Sequence, residues 1–187
     1  KPRTESEGAE NLPAQAVAIP AVRRREQLSR LTAELLAAPA DHSILLVRAR
    51  NDEALKLVAL ELARAVDERG QKAVVIDADL KDNPVSSLLQ FNQSIGVRDI
   101  LAGRASIREA AHAVGQTGIE IVPVGMAPLA SFDQQMRHTL LVALRQARGL
   151  GRIIIDGGEL AAMRSELGLY AMADEVIFLE PSDDDRP

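Results

Sequence analysis

Cysteine and tryptophan are absent from this chain of 187 residues, and aromatic residues make up only 2% of it. Without cysteine there is no disulfide, no thiolate metal site and no cysteine nucleophile, a usage that fits the cytosol. One Tyr and three Phe cannot build a core, so the hydrophobic 47% must pack as aliphatic side chains. That is the composition of a parallel sheet covered by helices on both faces. Positive charge is also short: 22 Lys and Arg face 27 Asp and Glu, a formal net charge of -5, which argues against a broad nucleic-acid surface. No apolar run approaches the roughly 20 residues of a membrane span, and no signal peptide is visible. The three histidines, His42, His112 and His138, are too far apart for metal-ligand spacing. Ser43, Ser131 and Ser165 have no nucleophile-elbow context.

The length suits one domain. Residues 1–20 are polar, then rich in Ala and Pro, and read as a flexible leader. Residues 21–181 read as a single α/β domain, and the acidic run 182–187 as a disordered tail. Within the domain, helical spacing predicts helices over 22–38, 53–68, 84–91, 107–114, 133–147 and 160–173. Short aliphatic runs predict strands over 44–49, 73–77, 119–123, 152–156 and 175–179, with a turn over 97–103. Strands alternate with helices from Ser43 onward, which implies a doubly wound, mostly parallel sheet flanked by helices.

Ligands of such sheets sit beyond the carboxyl ends of the strands. Three strand ends there are informative. The first runs into Asn51-Asp52-Glu53-Ala54-Leu55-Lys56-Leu57, between a buried strand and a helix, where a phosphate loop would lie. The second ends Val74-Val75-Ile76-Asp77-Ala78-Asp79, and another ends Ile153-Ile154-Ile155-Asp156. An Asp directly after aliphatic strand residues can hold Mg²⁺ through water near a phosphate. One such Asp alone is more often a strand-ending cap; two on separate strand ends, beside a strand–loop–helix, point to a nucleotide-type site in ancestry.

Two runs are more specific: Asp77-Ala78-Asp79-Leu80-Lys81, and Gly96 to Ile107 with its Asp99-Ile100-Leu101-Ala102-Gly103 core. Together with Ile119-Glu120-Ile121-Val122-Pro123 and Ile153 to Asp156, in this order, they resemble the bacterial tyrosine kinases of polysaccharide export. These stand with the Min-type and Par-type ATPases in the deviant Walker group of P-loop proteins. By this resemblance Asp77 and Asp79 match the Walker A′ carboxylates and Asp156 the Walker B carboxylate. Lys81 stands where the family usually has Arg.

The chain departs from that family at each functional element. Where a working loop reads roughly Pro-Gly-Glu-Gly-Lys-Ser-Thr, residues 51–57 keep only Glu53. Asp52 and Ala54 replace the glycines whose backbone would curl round phosphates. Leu55 replaces the phosphate-reaching Lys, and Lys56 and Leu57 replace the hydroxyls. The Asp52 carboxylate at about 4 Å from a phosphate costs roughly 4 kcal/mol, on the order of a thousandfold in affinity. A one-residue slip does not rescue Lys56, since it turns the side chain by about 100°. In the first helix, Ser29 and Thr32 stand where the family has the arginines that pack subunits into rings. The tail after Pro181 has no Tyr, and the single Tyr170 falls in a helix predicted to face the core. Gly157-Gly158-Glu159 replaces a Thr-Pro-Pro run and reads as a mobile loop.

The resemblance and these departures together imply a catalytically inactive pseudo-kinase or pseudo-ATPase. It would act as partner or regulator in the synthesis and export of a bacterial exopolysaccharide such as capsule, holdfast or biofilm matrix. No cofactor and no metal are expected, and Mg-ATP or Mg-ADP would bind only if that reading fails. The expected partner is an inner-membrane chain-length or export protein, with self-association left open, no nucleic acid, and only indirect membrane contact. The expected place is the cytoplasmic side of the bacterial inner membrane. Two alternatives stand beside it: an active ATPase or tyrosine kinase with an atypical phosphate loop, and a Min/Par-like spatial regulator. Repulsion among Asp52, Glu53, Asp77, Asp79 and Asp156 calls for a cation, for which Lys56 and Lys81 are the sequence's nearest candidates.

Overall fold

A computed structural model of the chain describes residues 16–19, 24–129, 133–163 and 168–180. The rest of the expected leader and the acidic tail 182–187 lie outside the described residues. Ala16–Ile19, read from sequence as leader, instead forms a strand (β1). It is followed by Arg24–Ala37 (α1), Ser43–Arg48 (β2), Val58–Asp67 (α2), Ala73–Asp77 (β3), Pro84–Leu88 (α3) and Val97–Leu101 (α4). Then come Ile107–Ala110 (α5), His112–Ala113 (β4), Ile119–Val122 (β5), Gln134–Ala147 (α6), Arg152–Glu159 (β6), Leu160–Met163 (α7) and Glu175–Leu179 (β7). The described strands form one sheet in the order β1-β7-β2-β6-β3-β5-β4. Every pairing is parallel except β4 with β5, as the doubly wound reading requires.

Side chains alternate across each strand, and the two faces pack against different helices. Ile44, Leu46, Val75, Ile154 and Ile177 meet Leu31 and Leu35 of α1, and Val58, Leu62 and Val66 of α2. Leu45, Val47, Val74, Ile153 and Ile155 meet Ile100 of α4, Ile107 of α5, and Leu140 and Leu144 of α6. Both clusters are aliphatic, as the composition demands. The amino end of β6 also fastens α1: the Arg152 guanidinium donates to the carbonyls of Leu36, Ala38 and Pro39, the last at 2.5 Å, so satisfying orphan groups at the end of the helix.

Several elements differ from the sequence reading. The 97–103 turn is the helix α4, whose buried Asp99 accepts the amides of Gly96 and Met126, each at 3.0 Å. The 107–114 helix stops at Ala110, because His112–Ala113 pairs with Ile121 and Glu120 across the hairpin that Gly115, at φ +59°, turns. Tyr170 lies in a 3-10 turn, Leu169–Ala171, half-buried against the core, and residues 164–167 of the predicted helix lie outside the described set. Thr32 is fully buried and its hydroxyl donates to the Leu28 carbonyl at 2.6 Å, so the second family arginine position lies inside the fold.

Candidate functional site

The sheet's order brings the carboxyl ends of β2, β6 and β3 side by side. Asp77 and Asp156 stand level in the β3–β6 ladder, and both are buried. The Asp77 Oδ2 accepts the amide of Ser86 at 2.7 Å and its hydroxyl at 2.5 Å, and that hydroxyl oxygen accepts the Val124 amide at 2.9 Å. The Asp77 Oδ1 has no partner among the described residues. Burial pushes the Asp77 carboxyl up to about 6, against the opposing hydrogen bonds from Ser86. Asp79, two residues on, accepts the amides of Asp82 at 3.0 Å and Lys81 at 3.3 Å on Oδ1, which closes the turn after β3.

Arg48, the last residue of β2, is the centre of the arrangement. It is only 1% exposed, and its guanidinium donates to Asp79 Oδ2 through Nη2 and to Asp156 Oδ1 through Nη1, the latter at 3.2 Å. The same Asp156 oxygen accepts the Gly158 amide at 3.0 Å. The Asp156 carboxyl is pushed up to about 7: its burial and the neighbouring Asp77 outweigh the pull of the guanidinium. The cation among the acidic strand ends is therefore Arg48, not Lys56 or Lys81. Lys56 turns to Glu53, three residues before it, at 2.5 Å, and Lys81 is exposed. Sequence reading passed over Arg48 because a strand-end Arg usually extends into solvent; the signal is its place in a strand otherwise wholly aliphatic after Ser43.

Gly157 and Gly158 are not a loose loop but the continuation of β6. Gly158 has φ +76°, and a Cβ there would lie 2.8 Å from the Asp79 carboxyl carbon. The glycine thus lets Asp79 sit close enough to β6 for Arg48 to hold both carboxylates.

The loop that would meet phosphates is a 3-10 turn over Glu53–Leu55. Asp52 is extended, at φ -134° and ψ 122°, and its side chain accepts the Ala54 amide at 2.9 Å. That amide is spent on an internal cap. Leu57 begins α2 with no side-chain cap, and Leu55, half-buried, packs towards Leu28, Leu31 and Val58. An anion here would meet the Asp52 carboxylate and no side-chain cation from Leu55, while two of the three strand-end carboxylates, Asp79 and Asp156, already face a guanidinium. These residues do not fit a magnesium nucleotide. The remaining candidates are elsewhere: Ser43 donates to Asp174 at 2.6 Å, His42 meets Glu175 at 3.3 Å, and His112 stacks on Phe91. None of these joins the cluster.

No protein-family profile matches the chain, and no curated protein matches it in sequence. Solved structures do match in shape. The chimerical protein CapA2B2 is similar over 94% of this chain and 83% of its own, with a TM-score of 0.64 at 14% identity. The kinase domain of the Escherichia coli tyrosine kinase ETK is similar over 87% and 77%, with a TM-score of 0.61 at 17% identity. The septum site-determining protein MinD of Pyrococcus horikoshii, solved with Mg-ADP, is similar over 74% and 57%, with a TM-score of 0.56 at 22% identity. The chain shares its fold, a mostly parallel sheet flanked by helices, with these tyrosine-kinase domains and MinD ATPases.

Proposed function

We propose that this protein works without nucleotide, as a kinase-shaped partner or regulator in bacterial exopolysaccharide synthesis and export. The observation that supports the first half is the pairing of Arg48 with Asp79 and Asp156. Two of the three carboxylates that the resemblance matches to the Walker positions, Asp79 and Asp156, already hold a guanidinium of the chain, beside a loop with no glycine and with Leu55 at the lysine position. Support for the second half is the fold, shared with tyrosine-kinase domains, and the family motifs in the 77–107 stretch.

On this reading residues 21–181 form one domain, extended by the strand Ala16–Ile19, and the partner is an inner-membrane chain-length or export protein. The protein then sits at the cytoplasmic face of that membrane through its partner. Two measurements test it. Calorimetric titration with Mg-ATP and Mg-ADP should give no binding heat, and micromolar binding would overturn the pseudo-enzyme reading. Co-purification with a membrane-embedded export protein from the native cell should be unaffected by nucleotide; recovery with division or partition proteins instead would favour the spatial-regulator alternative.

A further inference from the structure

In the sheet, β6 lies between β2 and β3, so a side chain that reaches from β2 to Asp79 must pass over the end of β6. Arg48 does so and meets Asp156 on the way. Each carboxylate it meets also holds backbone amides: Asp79 those of Lys81 and Asp82, Asp156 that of Gly158. One guanidinium therefore ties together the end of β2, the turn after β3 and the far part of β6.

We propose that Arg48 is a built-in counter-ion, which supplies from the chain itself the charge that carboxylates at this edge would otherwise draw from a bound cation, and so holds the 79–82 turn and the end of β6 in one arrangement without metal. The reasons are chemical. Three buried carboxylates, Asp77, Asp79 and Asp156, repel unless a cation or a proton intervenes. A guanidinium is always charged and offers several donors in a planar fork, so it can serve two carboxylates at once where an ammonium serves as a point charge. At 1% exposed, the Arg48 side chain occupies the space beside these carboxylates. The inference rests on the nucleotide-free reading and deepens it: the face offered to a partner is preset, not switched by ligand.

Hydrogen exchange of the full chain, read by mass spectrometry, tests this. In the wild type, amides over 79–83 and 156–159 should exchange at the same rate with and without millimolar Mg²⁺. In Arg48→Met their exchange should rise at least about tenfold more than that of the β3 interior over 74–76, which follows global stability alone. If Arg48→Met does not fold, the charge-balanced R48M/D79N should, with the same loss over 79–83. A wild-type response of these segments to Mg²⁺, or wild-type protection in either variant, would overturn the proposal. The two readings can fail separately. Calorimetric nucleotide binding with loop protection still lost in the variants sinks the proposed function alone; absent binding with protection retained sinks the counter-ion alone.

Discussion

Arg48 and Asp79 form a buried ion pair between two strand ends that are not neighbours in the sheet, and the pair closes over Asp156 on the strand between them. Removing one partner of such a pair leaves a buried charge without compensation. Arg48→Met should therefore destabilise the fold by about 3–5 kcal/mol in urea unfolding. The double change with Asp79→Asn should be less damaging than the sum of the two single changes, a non-additivity expected of residues in contact. Strict additivity would separate the two residues energetically.

Asp77 and Asp156 predict an unusual pH dependence. Both are raised from an ordinary value of 3.8, to about 6 and about 7. Between these values the folded protein holds protons that the unfolded chain has released, so stability rises as pH falls. The urea midpoint should be higher at pH 5.5 than at pH 8 with an unchanged slope. Asp77→Asn should flatten this trend by removing one titrating group and its influence on Asp156. A midpoint that rises steadily with pH across this window would contradict the assignment.

Gly158 should not tolerate a side chain. Its φ of +76° and the 2.8 Å approach of a Cβ to the Asp79 carboxyl act together. Gly158→Ala should cost about 2 kcal/mol or more, since strain at a positive φ alone is of order 1–3 kcal/mol. Ala in place of Gly103, also at positive φ but with nothing within 4 Å, provides the control for backbone strain without the clash. Equal losses at the two sites would mean that contact with Asp79 does not matter.

Much of this was legible in the sequence. Alternating aliphatic strands and helices gave the sheet, and the carboxylates at 77, 79 and 156 do meet at one edge. What sequence did not show is which cation they meet. Periodicity places Arg48 inside the 44–49 strand, and only the order β2-β6-β3 reveals that its reach ends on two carboxylates. The mobile loop read at Gly157-Gly158 is the same kind of miss: two glycines signal freedom locally, while the close approach of Asp79 that requires one of them is tertiary. The short edge strand β4 was hidden because Ile107 to Val114 keeps helical spacing up to the hairpin that ends it.

The position of Arg48 also changes what a loop graft can achieve. Asp52→Gly, Ala54→Gly, Leu55→Lys, Lys56→Ser and Leu57→Thr together rebuild the phosphate-facing residues. With Arg48 retained, binding of a fluorescent ADP in Mg²⁺ should stay immeasurable, and it should emerge when Arg48→Ala is added to the graft. Micromolar affinity in the graft with Arg48 intact would show that the loop alone had been the obstacle.

We propose that this chain binds no magnesium nucleotide, because Arg48 holds Asp79 and Asp156 and Asp52 caps the loop. Calorimetric titration of the wild-type protein with Mg-ATP and with Mg-ADP tests it most directly. No binding heat is expected up to millimolar nucleotide, whereas saturable binding in the micromolar range would overturn the nucleotide-free reading.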